Sequence, residues 1–164
     1  MSRSLGDTLP DALLPLLDGR DLPGQMGKAI LIATADAYGW PHPALLSYGE
    51  ILAVGRRRIR LAPYRESMTS GNLRRDGKLT LCLVEAGISY YIKAQARIQQ
   101  DPMSEHTHLT CFEAVVEAVL EDRAREDLEP GAGVTSGITF RAGRPEGEVL
   151  RDWQVMLDGL RRAG

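Results

Sequence analysis

Three hydroxyl side chains lie close together in the stretch ESMTSGNLRR, at Ser67, Thr69 and Ser70. A short helix is predicted to begin here and to end near Arg75, because the turn signal Asp-Gly follows. The start of a helix presents unpaired backbone N–H groups and a partial positive charge, so hydroxyls beside it can hold a phosphate. The same residue types are also the preferred N-caps of helices. The residues alone leave both interpretations open, a phosphate site and a helix cap.

Four arginines just upstream could supply positive charge to such an anion. Arg56, Arg57 and Arg58 fall in a predicted hairpin turn, where exposure to solvent explains them equally well. Arg60 lies on the strand that leads into the hydroxyl stretch. It is therefore the arginine that we expect to contact a phosphate.

A second polar group, SEHTHLTC, places Glu105, His106, His108 and Cys111 close together. This segment is predicted to be the start of a helix, and residues two apart on a helix point to nearly opposite sides. The two histidines could not easily share one ion, so we expect no metal site here.

Other motifs for catalysis are not evident in the chain. It contains no nucleophile elbow, Walker loop, paired CxxC or GxGxxG fingerprint. The pair Tyr90 and Tyr91 could line a slot for a flat ring or could simply pack within a sheet. Any redox chemistry is therefore expected to belong to a bound cofactor.

The elements that must position these residues are mostly strands. Alternating or short apolar runs predict six of them, which are KAILIATA, ALLSYGEILAV, IRLAP, KLTLCLVEA, ISYYIKAQARIQQ and ITF. Gly49 is predicted to bend the second strand. Because most of these strands are adjacent in sequence, they favour a small antiparallel barrel over alternating parallel units.

Helical spacing predicts three further elements besides the helix of the hydroxyl stretch. A short N-terminal helix is expected after Thr8, interrupted at Pro15. A long amphipathic helix is predicted from Ser104 onward, and a C-terminal helix carries the last apolar stripe. The residues that support these two helices are Leu109, Phe112, Val116 and Val119 for the first and Leu150, Trp153 and Leu157 for the second.

Composition narrows the class of protein. The 164 residues, 43% of them hydrophobic, predict one domain that spans residues 1–164. A net charge of −2 argues against a general nucleic-acid binder. No apolar segment is long enough for a membrane span, and we expect a cytoplasmic protein. Cys82 and Cys111 lie in apolar runs, which is typical of buried free thiols.

The order of these segments resembles a known family. The stretches AILIATADAYGWPHPALLS, IRLA, SMTSGNLRRDGKLTL, YYIKAQARI and SGITF, followed by a helix with a tryptophan, are similar to the pyridoxamine 5'-phosphate oxidase-like family of flavin-binding split barrels. The resemblance implies a mainly β fold, a six-stranded antiparallel split barrel of Greek-key type with N-terminal, middle and C-terminal helices. It also implies a homodimer with flavin mononucleotide (FMN) in each of two clefts at the subunit interface.

The resemblance assigns roles to the hydroxyl stretch. The flavin phosphate of that family lies near the end of the third strand and the start of the following helix, and the flavin ring lies along the second strand. The phosphate end would comprise Arg60, Leu61, Ser67, Met68, Thr69, Ser70 and Asn72. The ring would lie along residues 42–47, with contacts to Pro43, Leu45 and Ser47.

The chain also departs from the name-giving oxidases. They carry an arginine–lysine pair where this chain has Met68 and Thr69, and their second strand begins with arginine and ends with lysine where this chain has His42 and Ser47. Each lost charge-assisted contact is worth roughly 1.5 to 3 kcal/mol. Oxidation of pyridoxamine phosphate is therefore not expected.

Two functions of different classes remain open. The first is an FMN-dependent oxidoreductase that acts on a small molecule, with no residue identified as its general acid or base. The second is a non-catalytic split-barrel dimer that carries or senses another ligand. The alternatives for that ligand are pyridoxal phosphate, haem, which would need His42 or His108 as an axial ligand, and a deazaflavin, which would use the arginines of residues 56–60.

Overall fold

One antiparallel sheet of nine strands dominates the computed structural model, which describes residues 2–164. Its main path runs in the order β3-β2-β6-β7-β8-β5-β4, while β1 pairs with β8 and β9 pairs with β2. The sheet curls into a half-barrel. The strands are β1 (Ser2–Gly6), β2 (Lys28–Ala35), β3 (Pro41–Ser47), β4 (Ile51–Ala53), β5 (Arg58–Leu61), β6 (Lys78–Glu85), β7 (Ile88–Gln100), β8 (Cys111–Asp122) and β9 (Ile138–Thr139).

Three α-helices flank this sheet, and short 3-10 turns occupy Pro23–Gln25 and Tyr48–Glu50. The helices are α1 (Leu14–Leu17), α2 (Met68–Arg75) and α3 (Glu146–Arg162). Among the described residues, no helix has the length and apolar character needed to cross a membrane.

The core lies inside the curl of the sheet. Alternate residues of neighbouring strands meet there, such as Ile30 and Ile32 of β2, Leu81 and Leu83 of β6, and Phe112 of β8, all fully buried. The other face of the same strands carries mostly small or polar side chains, as the period of two requires.

The predicted fold class is confirmed: the protein is mainly β, with a curled antiparallel sheet and N-terminal, middle and C-terminal helices, consistent with a split barrel. Six strands were expected, and the described residues form nine. The difference arises because β1 and β8 were not predicted as strands and the predicted second strand is divided into β3 and β4.

The long helix predicted from Ser104 is wrong, since β8 occupies Cys111–Asp122. Its pairing with β7 shifts register between Lys93 and Ala94, opposite Ala118 and Val116. This bulge inserts one extra residue, so the inward positions change from even numbers, such as Phe112 and Val116, to odd ones, such as Val119. The resulting spacing imitates a helix, although the valine-rich composition is typical of a strand.

The division of the second predicted strand occurs at a capping box. The backbone N and Oγ of Ser47 donate to Glu50 Oε2 at 2.7 and 2.8 Å, closing the turn Tyr48–Glu50. Gly49 lies within this turn, where an added Cβ would be 2.2 Å from Trp153 Cγ. Glycine is therefore required by the close approach of α3, which packs over the turn.

The N-terminal helix is shorter than expected. Residues 2–6 pair with β8, and only Leu14–Leu17 form an α-helix, with Pro15 in its first turn. Proline suits that position because its missing N–H would have no intrahelical partner there.

Candidate functional site

The start of α2 is built on Ser67, which is its N-cap. Ser67 Oγ accepts from the backbone N of Ser70 at 3.1 Å and donates to the carbonyl of Tyr64 at 2.7 Å. Helix capping is therefore one role of the hydroxyl stretch. The first helical amides, those of Met68 and Thr69, have no acceptor among the described residues and stay open to an anion.

The other polar residues of α2 point inward. Thr69, Ser70 and Asn72 are buried. Ser70 Oγ donates to the carbonyl of Tyr64 at 2.7 Å, and Asn72 Nδ2 donates to Thr34 Oγ1 at 2.9 Å. These bonds fix the helix against β2 and the loop before it. At the helix start, Met68 is the side chain that remains well exposed, at 58%.

Arg60 and Leu61 lie in the interior. Leu61 is part of the apolar core, and Arg60 is only 7% exposed. Arg60 Nε donates to Glu113 Oε2 at 3.1 Å, and its Nη1 donates to the carbonyls of Leu160 and Arg161 at 2.7 and 3.1 Å. The charge of Arg60 is therefore engaged with β8 and the end of α3. We call these residues the Arg60–Glu113 corner.

A different arginine lies beside the helix start. Arg65 Nε donates to Asp101 Oδ1 at 2.9 Å, and Arg74 Nη2 donates to Asp101 Oδ2 at 3.0 Å. Thr110 Oγ1 donates to the same carboxylate at 2.9 Å. Burial raises the pKa of Asp101, but the bonds from Thr110, Arg65 and Arg74 outweigh it, so the pKa lies below its usual value. This cluster ties Arg65, just before α2, to Arg74 in the last turn of the same helix.

The predicted ring contacts share one face. Pro43, Leu45 and Ser47 alternate along β3, which is an edge strand, and Leu45 is 54% exposed. Opposite them on β2 lie the outward residues Ala33, Leu31 and Ala29. The structure therefore places a flat, largely apolar strip along β3.

The paired tyrosines divide between the two faces of the sheet. Tyr90 is buried in the core, while Tyr91 is partly exposed on the outer face, opposite Cys82. Tyr90 therefore packs, and Tyr91 belongs to the outer face. Cys82 and Cys111 are both free thiols, and burial raises the pKa of each, that of Cys111 to about 11.

The polar group that could suggest a metal is spread over several elements. Cys111 is buried in β8, and Glu105 pairs with Arg162 at a distance of 2.5 Å. The rings of His106 and His108 meet edge to face, with centroids 6.1 Å apart. Within residues 2–164, no three His, Cys, Asp or Glu side chains are grouped so that they could hold a metal ion.

A cleft of about 470 Å³ opens between the end of β3, the loop before α2 and helix α3. Its walls include Ser47, Tyr64, His106, His108 and Trp153, and we call it the Tyr64 cleft. It was not predicted from the sequence, because four distant segments form it. The presence of two histidines, His106 and His108, in a segment rich in polar residues was the available signal.

The electrostatics of the Tyr64 cleft are mixed. Glu50 lines it, and burial raises the pKa of this carboxyl, although the bonds from Ser47 act in the opposite direction. Arg144 and Asp152 also line it, and they form an ion pair with each other. The Nε2 atom of His106 is buried without a hydrogen-bond partner.

Comparison with solved structures identifies the class of fold. HupZ of Group A Streptococcus aligns with a TM-score of 0.55 at 14% identity over 70–79% of this chain and 99% of its own. A candidate pyridoxamine 5'-phosphate oxidase from Lactobacillus delbrueckii aligns with a TM-score of 0.52 at 15% identity, covering 71% of this chain and 98% of its own. An F420 reductase aligns with a TM-score of 0.52 at 10% identity, covering 68% and 98%. The protein therefore has the pyridoxamine 5'-phosphate oxidase-like split-barrel fold.

Comparison of sequences then identifies the family. The uncharacterized protein YclD of Bacillus subtilis (strain 168) is 34% identical over 157 residues, which are 94% of this chain and 96% of YclD. The chain belongs to the family of YclD. No protein-family model matches the sequence.

Proposed function

We propose that the protein binds FMN and is a flavin-dependent oxidoreductase acting on a small molecule other than pyridoxamine phosphate. The observation that carries the proposal is the combination of an exposed apolar strip on β3 with the open start of α2, within a split barrel. Solved structures of this fold include an F420 reductase and candidate pyridoxamine 5'-phosphate oxidases.

The start of α2 suits the flavin phosphate. The amides of Met68 and Thr69 form the proposed contacts, while the hydroxyl of Ser67 caps the helix and Ser70 and Asn72 hold it in place. Anions are favoured at such a helix end by its free N–H groups and partial charge. Arg60 was the cation expected from the sequence, but its bonds to Glu113 and α3 make Arg65 the better candidate.

The strip on β3 suits the flavin ring. Pro43, Leu45 and Ser47 offer a flat surface on an edge strand, whose free backbone groups can bond the polar edge of the ring. When bound, FMN would supply the transfer of electrons. The residues of this chain would orient the ring and keep water from one of its faces.

A homodimer is part of this proposal. The outer face of β2, β3 and β6 carries Leu31, Leu45, Cys82 and Val84, which are partly or well exposed, and a second subunit could bury it. The two flavins would lie at the edges of the interface. A species of 18.0 kDa in sedimentation at micromolar concentration would contradict the dimer.

The experiment is an FMN titration of the purified protein, read by flavin fluorescence and by the visible absorption spectrum. We expect saturable binding, weakened at least tenfold by Leu45→Arg, which fills the strip with a charged side chain. Ser136→Ala, in an exposed loop, is the control and should bind as the wild type does. A colourless protein that fails to bind FMN at micromolar concentration would overturn the proposal.

A deazaflavin is the second candidate cofactor, and one observation favours it. A cleft of about 470 Å³ is lined by Arg20, Arg58, Arg60 and Arg161, with Asp18 as its acidic member. Such a cleft could accept an acidic tail. Tighter binding of F420 than of FMN, lost in Arg58→Ala, would support this candidate over the first.

A further inference from the structure

We infer that the Tyr64 cleft is a binding site for a neutral, planar aromatic ligand with a hydrogen-bonding substituent. The inference that the cleft binds such a ligand does not depend on whether the protein binds FMN. Its assignment as the substrate site rests on the proposed function, because Ser47 lies both at the end of the β3 strip and in the wall of the cleft.

The walls of the cleft favour a flat aromatic molecule. Tyr64 is 63% exposed, and its ring contacts that of His108 with centroids 5.9 Å apart in a tilted arrangement. Trp153 lies on the wall formed by α3. Aromatic rings of this kind gain energy from stacked and edge-on partners. The volume of about 470 Å³ falls in the range of small-molecule pockets.

His106 supplies the polar contact. Its Nε2 is buried and has no hydrogen-bond partner, although buried polar atoms in folded proteins are nearly always paired. This atom is shielded from the cleft, so the imidazole must turn about its terminal side-chain bond to present it, and a ligand with a hydroxyl, amino or carbonyl group would then provide the missing partner. Neutral imidazole can donate or accept at this atom, so either kind of substituent fits.

The charges of the lining favour a neutral ligand. Glu50 and Asp152 are acidic, and Arg144, the arginine of the lining, is already paired with Asp152. An anion in the cleft would therefore meet an excess negative charge at neutral pH. This separates the Tyr64 cleft from the start of α2, which favours anions.

The test uses the fluorescence of Trp153. The chain has two tryptophans, so Trp40→Phe, a change at an exposed turn residue, leaves Trp153 as the reporter. We expect 4-nitroaniline, a neutral ring that absorbs tryptophan emission, to quench Trp153 saturably. Its anionic analogue 4-nitrobenzoate should bind at least tenfold more weakly.

Two variants in the Trp40→Phe background locate the site. Tyr64→Ala removes the ring wall, and His106→Leu removes the polar atom while keeping most of the volume. Each should weaken binding of 4-nitroaniline by about fivefold. Tyr38→Ala, at an exposed turn outside the cleft, is the matched control and should leave binding unchanged.

Three outcomes would overturn the inference: no saturable quenching, equal affinities of the two cleft variants and the control, or tighter binding of 4-nitrobenzoate. Circular dichroism confirms that each variant is folded before its titration. If 4-nitroaniline binds but FMN does not, the ligand site stands and only the assignment as substrate site fails. If FMN binds but 4-nitroaniline does not, the inferred ligand site fails and the proposed function stands.

Discussion

The Arg60–Glu113 corner and the Tyr64 cleft both contain buried polar groups, but they differ in whether those groups are satisfied. Glu113 is 3% exposed and faces Arg60, with Arg97 at 3.4 Å, while Arg60 also bonds two carbonyls of α3. In the cleft, His106 Nε2 has no partner. A buried polar group with every partner inside the chain serves the fold, whereas the unpaired atom beside the Tyr64 cleft is the one that we propose a ligand contacts.

The bonds of Arg60 explain why its positive charge was a poor basis for predicting a phosphate contact. Arg60 was expected at a phosphate because it precedes the hydroxyl stretch on a strand. The side chain instead joins β5 to β8 and fixes the end of α3.

Removing Glu113 should destabilise the protein most. Glu113→Leu leaves Arg60 buried without its carboxylate, and breaking a buried pair in this way costs about 3 to 5 kcal/mol. Chemical denaturation should show this loss in the free energy of unfolding. Glu117→Leu, on the exposed side of the same strand, should change it by less than about 0.5 kcal/mol. Equal effects of the two changes would show that the corner is not a structural centre.

A change at Gly49 should disturb the wall of the Tyr64 cleft. The new Cβ of Gly49→Ala would overlap Trp153, and overpacking of this kind costs about 1 to 3 kcal/mol. The emission of Trp153 should shift as the side chain is displaced. Gly55→Ala is the control, because nothing lies within 4 Å of its added Cβ. Unchanged stability and emission in Gly49→Ala would mean that α3 does not pack on this turn.

Substitutions of Ser67 separate the cap from the anion site. Ser67→Ala removes the cap and should cost about 1 kcal/mol of stability. Ser67→Asp keeps a capping oxygen, so stability should be retained, but its charge repels a phosphate at the same helix end. FMN affinity measured by fluorescence should therefore fall more in Ser67→Asp than in Ser67→Ala. The opposite order would place the phosphate elsewhere.

The sequence predicted the class of fold but not every element. Apolar runs with a period of two were sufficient to predict β2, β6 and β7. The hydroxyl stretch indicated where α2 begins, and the Asp-Gly turn signal indicated where it ends. The bulge near Val116 concealed β8, since one extra residue changes which side chains face inward. With β8 taken as a helix, Glu113 could not be recognised as the partner of Arg60.

The candidate site was predictable only in its local parts. The alternation of Pro43, Leu45 and Ser47 on one face follows from the strand period. The inward direction of Thr69 and Asn72 depends on how α2 packs on β2, which the sequence does not state. The Tyr64 cleft depends on residues from four segments, the first and last of which are about a hundred positions apart, so only the folded chain shows it.

The smallest expected effect concerns Asp101, which holds Arg65 and Arg74 beside α2. Its pKa is lower in the folded protein than its usual value, so the carboxylate contributes stability above the ordinary pKa of aspartate, about 3.9. This contribution is lost as the pH falls through the folded-state pKa. Asp101→Asn should therefore be less stable than the wild type at pH 7, and the difference should shrink below about pH 4. Denaturation curves at pH 7 and pH 3 measure it. A difference that stays constant over this range would show that the carboxylate's charge does not hold the two arginines, and Arg65 would then lose its support as the cation at the start of α2.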